Sequence, residues 1–340
     1  MATVITNLLS AIPFIGKDIV PLIIFITLYY IVYYIIKSNK EEDISINDVS
    51  NSIENKVNSG VEDIKLKTHN SEFAALLSWI VGFIDGDGYI RVTKKKTGVE
   101  GKPEKDYITI TLVINLHKND YNLLCEIRDI LGVGKVFYIN KKSKKVARYE
   151  INKTDMIKVF FPLLEKYNIH FLTETRQEQY LKALYVINNN IIFYNDIKSK
   201  DELSFIKERM ILDNFNSLWY FNNWLVGFTI AEGSFIQKTN KDLFFKLKQK
   251  YNFILFENIL AYFGTSQKLY INNNKYVEYS LSSINDIQLI VNFFSYNEFI
   301  IKPDIEKYPT VGLRGLKLIS YAKWLVHIKE NNRYNKVILP

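Results

Sequence analysis

Cysteine occurs once in the 340 residues, at Cys125, and histidine four times, at His69, His117, His170 and His327. A single thiol excludes a disulfide framework, and four scattered imidazoles assemble no Cys/His zinc site at workable spacing. Chemistry that depends on such zinc, or on a histidine base, is disfavoured accordingly. Beyond residue 40 the chain also lacks an apolar run long enough to span a membrane, which argues against a membrane-bound respiratory subunit. What is present is a chain of about two-domain length with 48% hydrophobic residues, ample for buried cores. Its net charge of +8 and pI near 9.1 favour a polyanionic partner, nucleic acid or acidic lipid.

One phrase is written twice. Residues Trp79 to Gly88 read WIVGFIDGDG and residues Trp224 to Gly233 read WLVGFTIAEG. Each copy is apolar with small residues at intervals and ends in an acid followed by glycine, so each sets one carboxylate at the mouth of a helix. Two symmetrically related acids holding hard cations are a means of hydrolysing a phosphodiester backbone with metal assistance. An EF-hand reading of DGDG fails, because the position that needs the bidentate glutamate is Lys96.

The sequence around the copies repeats as well. From Tyr107 to Leu116, Ile108, Ile110, Leu112, Ile114 and Leu116 alternate with Tyr107, Thr109, Thr111, Val113 and Asn115, the pattern of a half-buried strand. A helical run from Tyr121 to Leu131 stops at Gly132, and a hairpin opens at GKVFYIN and returns through Ala147 to Asn152. In the second half the same order is Leu243 to Gln249, then Asn252 to Phe263 stopping at Gly264, then QKLYIN and a return over Tyr276 to Leu281. Met156 to Tyr167 overlays Ile287 to Phe294, and Leu172 to Ile187 overlays Leu313 to Ile328. The repeat is αββαββα, twice. The first copy is longer by a basic hairpin, KKKTGVEGKPEKD, from Lys94 to Asp106.

Ile80 to Gly88 (IVGFIDGDG) and Leu225 to Gly233 (LVGFTIAEG) resemble the two signature motifs of the LAGLIDADG homing endonucleases in their single-chain form. The resemblance implies an α+β fold of two pseudo-symmetric αββαββα half-domains whose sheets form a saddle over DNA. Two motif helices on a pseudo-twofold axis must approach closely, and Gly82, Gly86, Gly227 and Ala231 allow it. Each helix is expected to stop at Gly88 or Gly233 through a left-handed cap. Asp87 and Glu232 are the aligned acids, implied by the resemblance to hold Mg²⁺. Lys317 matches the family's active-site lysine, with Arg176 as its counterpart. Gln249 resembles the family's strand glutamine, and overlaying the halves sets His117 opposite it. Where the motif carries its earlier acid, copy one has Asp85 and copy two Ile230. Asp85 is expected to be a helix-end group or a support for the metal ligands, and its loss in copy two predicts unequal cutting of the two strands.

Contact with double-stranded DNA is expected from the sheets. Strand alternation turns Tyr89, Arg91 and Thr93 away from buried Ile90 and Val92, to read the major groove. Lys94, Lys95 and Lys96, with Lys141, Lys142, Lys144 and Lys145 on the neighbouring hairpin, are assigned to phosphates, and Lys135 and Lys238 are set with them.

The N-terminus reads separately. Ile19 to Ile36 is uncharged and near the lower length of a membrane span, with Lys37 and Lys40 after it. Ala2 to Val20 closely resembles a segment of mitochondrial cytochrome b, which implies an intron reading frame continued from an upstream exon, as in fungal mitochondrial members of the family. Residues 1–40 are then an exon-like segment that contacts the membrane before processing, 41–70 a polar linker, 71–190 the first half-domain, 191–221 a connector and 222–340 the second half-domain. The expected protein is a mitochondrial monomer with an internal pseudo-twofold. It would cleave both strands of an intronless DNA site; the alternative is a maturase that binds its own intron RNA and helps it splice.

Overall fold

The computed structural model describes residues 72–97, 105–141, 144–197, 214–250, 252–273, 275–295 and 310–340. The N-terminal apolar run, the polar linker and Lys142 lie outside them, as do the side chains of Lys96, Lys141 and Lys144. Among the described residues no helix is long and apolar enough to cross a membrane.

The first half runs α1 (72–87), β1 (Gly88–Thr97), β2 (Lys105–His117), α2 (Tyr121–Leu131), β3 (Lys135–Lys141) and β4 (Lys144–Asn152). Helical turns at Lys153–Asp155, Met156–Phe160 and Phe161–Lys166 then run on as α3, and α4 (Glu174–Asn188) closes the half. The second half repeats the order as α5 (Phe221–Glu232), β5 (Gly233–Gln237), β6 (Leu243–Lys250), α6 (Phe253–Phe263), β7 (Tyr270–Asn272), β8 (Tyr276–Leu281), α7 (Ile284–Phe294) and α8 (Gly315–Lys329). Each half therefore closes on a pair of helices, as the overlay of the two sequences requires, one helix more than the seven-element shorthand writes.

Each half carries one four-stranded antiparallel sheet, ordered β1-β2-β4-β3 and β5-β6-β8-β7. The period-two pattern sorts the faces. Ile108, Ile110, Leu112 and Ile114 are buried, as are Leu243, Phe245 and Leu247, while Thr109, Thr111 and Asn115, or Phe244 and Lys246, lie on the more open face. Val113 is the exception, buried on the other face. Short helices α2 and α6 pack behind the sheets and end where expected, at Gly132 and Gly264, whose φ of 68° and 61° only glycine adopts freely.

The motif helices are different in kind. From Leu77 to Asp85 every residue but one glycine is a buried side chain, and in α5 Asn223 to Ile230 is buried throughout. A helix apolar on all sides belongs in the interior rather than on a surface. The described start of the connector lies against the first sheet: Ile108 donates its N–H to the Ile192 carbonyl at 2.9 Å, and Phe193 bridges Tyr107.

Candidate active site

The four small residues assigned to the helix interface are where α1 and α5 touch. A Cβ on Gly82 would lie 1.9 Å from the Trp224 carbonyl oxygen, and one on Gly227 would lie 1.9 Å from that of Trp79. One turn further on, a Cβ on Gly86 would meet the Ala231 Cβ at 2.2 Å and the Glu232 Cγ at 3.1 Å. This contact forces the two helix ends together, and with them Asp87 and Glu232.

The glycines that end the helices act otherwise than expected. Gly233 has φ −77° and ψ 155°, an extended conformation, and Gly88 is not among the positive-φ glycines. There is no left-handed cap at either. Chain direction switches straight from helix to strand, and a Cβ at Gly88 would lie 2.9 Å from the Ile84 carbonyl oxygen, one at Gly233 2.5 Å from that of Thr229. Glycine is needed there for close approach and not for its dihedral freedom.

The two acids share one low-dielectric environment with two cations. Burial pushes the Glu232 carboxyl up to about 7; the nearby Asp87 adds to this, while a hydrogen bond from Gln249 and the charges of Lys317 and Arg176 oppose it. Asp87 is pushed up to about 6, again chiefly by burial, opposed by Lys317 and then raised by Asp120. Burial in turn lowers Lys317 and Arg176 from their ordinary values, with the acids acting to raise them. Lys317 donates through Nζ to the Gly233 carbonyl, and Arg176 through Nε to the Ile84 carbonyl at 3.2 Å, each bound to the end of its own half's motif. Arg176 also donates through Nη1 to Gln179 Oε1 at 2.8 Å, which accepts the Ile90 N–H at 2.9 Å.

As a donor set for a metal this is two carboxylates beside carbonyl oxygens, and among the described residues no group of three or more His, Cys, Asp or Glu gathers for an ion. Such a set fits a hard divalent cation of the Mg²⁺ type, which takes one or two carboxylates and leaves the remaining oxygens to water and phosphate. It does not fit zinc.

Over residues 80–187 the sequence matches the family described as LAGLIDADG endonuclease. Among curated proteins the chain is 25% identical over 234 residues to a probable intron-encoded endonuclease aI3 of Dictyostelium discoideum, spanning 68% of this chain and 89% of that one. It is 27% identical over 222 residues to the aI3 protein of Dictyostelium citrinum, spanning 61% and 82%. Among solved structures, the I-SmaMI LAGLIDADG homing endonuclease bound to cleaved DNA superposes with a TM-score of 0.54 at 19% identity, over 77% of this chain and 94% of that one. The I-LtrWI LAGLIDADG homing endonuclease bound to target DNA gives 0.53 at 17% identity, over 75% and 90%. Over residues 80–187 the chain is thus similar to the LAGLIDADG endonucleases, and its fold is theirs.

Of the six residues a LAGLIDADG reading assigns to chemistry, five converge. Gln249 donates through Nε2 to Glu232 Oε1 at 3.0 Å. His117 does not join them. Gly88 pairs with Ile114 and Gly233 with Leu247, so the strand equivalent of Gln249 is Leu116. The overlay that set His117 there slips by one because the first half inserts an extra residue in the 3-10 turn Lys118–Asp120. One residue of slip moves a strand side chain to the opposite face. His117 is exposed, and its Nδ1 accepts the Asn119 N–H at 3.3 Å. For the same reason the extra length of the first copy is not all in the basic hairpin; one residue of it is this turn.

Asp85 also has a definite place. It is fully buried and accepts from the N–H groups of Leu172 and Thr173 at 2.9 and 3.1 Å, from Thr173 Oγ1 at 2.6 Å and from Trp224 Nε1 at 2.7 Å. Burial pushes it up to about 6 against those four hydrogen bonds. It ties α4 and α5 together.

On the open face of the first sheet, Thr93, Lys95 and Lys135 are exposed and Tyr89 and Arg91 half-buried; Lys94 and Lys145 are exposed at strand positions that alternate onto the other face, and Lys238 is exposed beyond β5. Several are engaged locally: Arg91 with Glu150 at 3.6 Å, Lys94 with Asp106 at 3.4 Å, Lys145 over the Tyr138 ring and Lys238 over the Phe244 ring. Three further basic residues lie on the sheets: Arg148, which binds Asn115 and Glu150, and Lys246 and Lys248 on β6. Alternation with Leu243, Phe245 and Leu247 was the signal that places the two lysines on the open face.

Proposed function

We propose that this chain is a site-specific endonuclease that cuts both strands of a double-stranded DNA target by hydrolysis, one strand at the end of α1 and the other at the end of α5. The observation that carries this reading is the convergence of Asp87 and Glu232 at two abutting helix ends with Lys317, Arg176 and Gln249 around them. Asp87 and Glu232 would hold Mg²⁺, which when bound supplies a Lewis acid and lowers the proton affinity of water. The cations offset charge that develops on the phosphate, and in a buried site such groups act far more strongly than in water. Gln249 orients the Glu232 carboxylate. Tyr89, Arg91 and Thr93 face the groove, and the hairpin lysines bind phosphate without reading sequence.

We assign the halves to residues 71–190 and 222–340, joined by 191–221. The curated relatives are named as probable intron-encoded endonucleases, which together with the cytochrome b-like stretch at Ala2 to Val20 supports a mitochondrial intron origin and a target in the intronless host gene. The test is a plasmid carrying the joined cytochrome b exons, incubated with the protein and Mg²⁺. Linear product is expected from the wild type. Asp87→Asn and Glu232→Gln should each suppress it while leaving DNA affinity within about tenfold. Full activity in either variant discards the site assignment, and an uncut plasmid with intact intron splicing by the protein would favour the maturase.

A further inference from the structure

The C-terminal ends of α1 and α5 are not built alike, and the difference lies outside the residues that the family motifs single out. Lys317 and Arg176 act on both acids, but only Glu232 has Gln249 beside it. At the Asp87 end the strand position of Gln249 is Leu116, and a cavity of about 230 Å³ is lined by Asp87, Leu116, Lys317, Ile230 and one further acid, Asp120. Asp120 ends the 3-10 turn Lys118–Asp120, where the first half has one residue more. Its Oδ1 accepts the N–H of Leu316 at 3.1 Å, in the first turn of α8, which belongs to the other half and carries Lys317 as the next residue.

The first N–H groups of a helix have no partner within it, and a side-chain oxygen that accepts one fixes the helix start. Arg314, the residue before α8, makes no such side-chain cap of its own. Two further observations show that the chain is shaped for this contact. Gly315 has φ +59°, which favours glycine, and a Cβ on it would lie 2.8 Å from Asp120 Oδ1, so the capping carboxylate would have to shift for any other residue. Beside it Arg314 binds Glu126 at 2.5 Å, a second tie between the halves. By the α2–α6 overlay the second-half equivalent of Asp120 is Asn252, so the acid is confined to one end.

We propose that Asp120 is a positioning residue of the Asp87 centre: by capping α8 from the opposite half it holds Lys317 at the wall of the cavity that Asp87 lines. This rests on the endonuclease reading for its consequence but not for its geometry. The Asp87 centre, having Leu116 where the other has an amide, depends on Lys317 for its polar support, and so on this cap. The Glu232 centre, which Lys317 also neighbours, has Gln249 as a second polar support.

The experiment uses Asp120→Ala, which removes the acceptor, and Asp120→Asn, which keeps one. Amide exchange is followed in the metal-free protein, and strand-resolved single-turnover cleavage is followed on an end-labelled duplex, with Asp87→Asn marking the strand that belongs to its centre. In Asp120→Ala the Leu316 amide should exchange at least tenfold faster, and the marked strand should be cut about tenfold more slowly with the other strand within twofold. Asp120→Asn should restore both. The proposal is overturned if Leu316 exchange is unchanged in Asp120→Ala, if both strands slow equally, or if Asp120→Asn is as impaired as Asp120→Ala. A wild type that cuts neither strand defeats the endonuclease reading, and amide exchange still decides whether Asp120 holds α8.

Discussion

Trp224 donates its indole N–H to Asp85 at 2.7 Å across the interface between the motif helices, whereas Trp79, its repeat equivalent, has no acceptor among the described residues. The residue that would stand opposite Trp79 is Ile230, the position where the second motif has lost its acid. Both indoles are fully buried, so the same substitution should have different costs. Trp224→Phe removes a buried hydrogen bond to a carboxylate and is expected to destabilise by about 2 kcal/mol more than Trp79→Phe, which removes none. Urea unfolding of the two variants measures the difference. Equal losses would mean that the indole–carboxylate bond contributes nothing net.

Gly82 and Gly227 should be the least replaceable residues in the molecule. An added methyl at either collides with main chain of the facing helix at 1.9 Å, and main chain cannot rotate away. Gly82→Ala or Gly227→Ala is expected to cost upwards of about 4 kcal/mol and to leave little folded protein. Gly132→Ala meets nothing within 4 Å and should cost only about 1 kcal/mol, through its positive φ. Thermal midpoints that rank the three otherwise would contradict the helix packing.

Without metal the active-site acids work against folding at neutral pH. Asp87 and Glu232 rise from 3.8 and 4.5 to about 6 and about 7 in the folded chain. A carboxyl raised in this way holds its proton more tightly folded than unfolded, so stability is fullest below pH 4 and falls as pH rises to 7. Each acid should cost on the order of 2 kcal/mol by pH 8. The doubly substituted Asp87→Asn/Glu232→Gln protein is therefore expected to melt higher than wild type at pH 8 in chelator, and the gap should close at pH 4. Adding Mg²⁺ at pH 8 should raise the wild-type midpoint and leave that of the double variant unchanged.

Much of this arrangement is legible in the chain because the repeat is. Period-two runs such as Ile108 to Leu116 sort the sheet faces, Gly132 and Gly264 stop their helices, and the doubled motif brings Asp87 to Glu232. What is not legible depends on one-residue geometry or on long-range contact. His117 and Leu116 exchange places according to whether a turn has one residue more, which pattern reading does not resolve. A glycine after a helix looks the same whether it relaxes φ, as Gly132 does, or admits a neighbouring carbonyl, as Gly88 does. Asp120 lies 196 positions from the N–H it caps, and no local pattern announces such a pair.

The strand asymmetry should follow the Gln249/Leu116 difference. Gln249 Nε2 holds Glu232 Oε1 at 3.0 Å, and Leu116 can hold nothing at Asp87. Asp85, by contrast, spends its oxygens on Leu172, Thr173 and Trp224, so the lost acid at Ile230 bears on the helix interface. Gln249→Leu should make the Glu232 centre resemble the other, slowing its strand by about tenfold, the usual scale for one lost supporting contact to a metal ligand. Leu116→Gln turns an apolar wall of the Asp87 cavity into a donor within reach of the carboxylate and should speed that strand relative to its partner. Nicked intermediate on supercoiled plasmid reads both: with the two centres made alike, less of it should accumulate in Gln249→Leu and in Leu116→Gln than in the wild type. If Leu116→Gln leaves the ratio of strand rates untouched while DNA affinity is unchanged, the amide at this position has no part in setting the carboxylate, and the asymmetry must lie in the Lys317 and Arg176 pair instead.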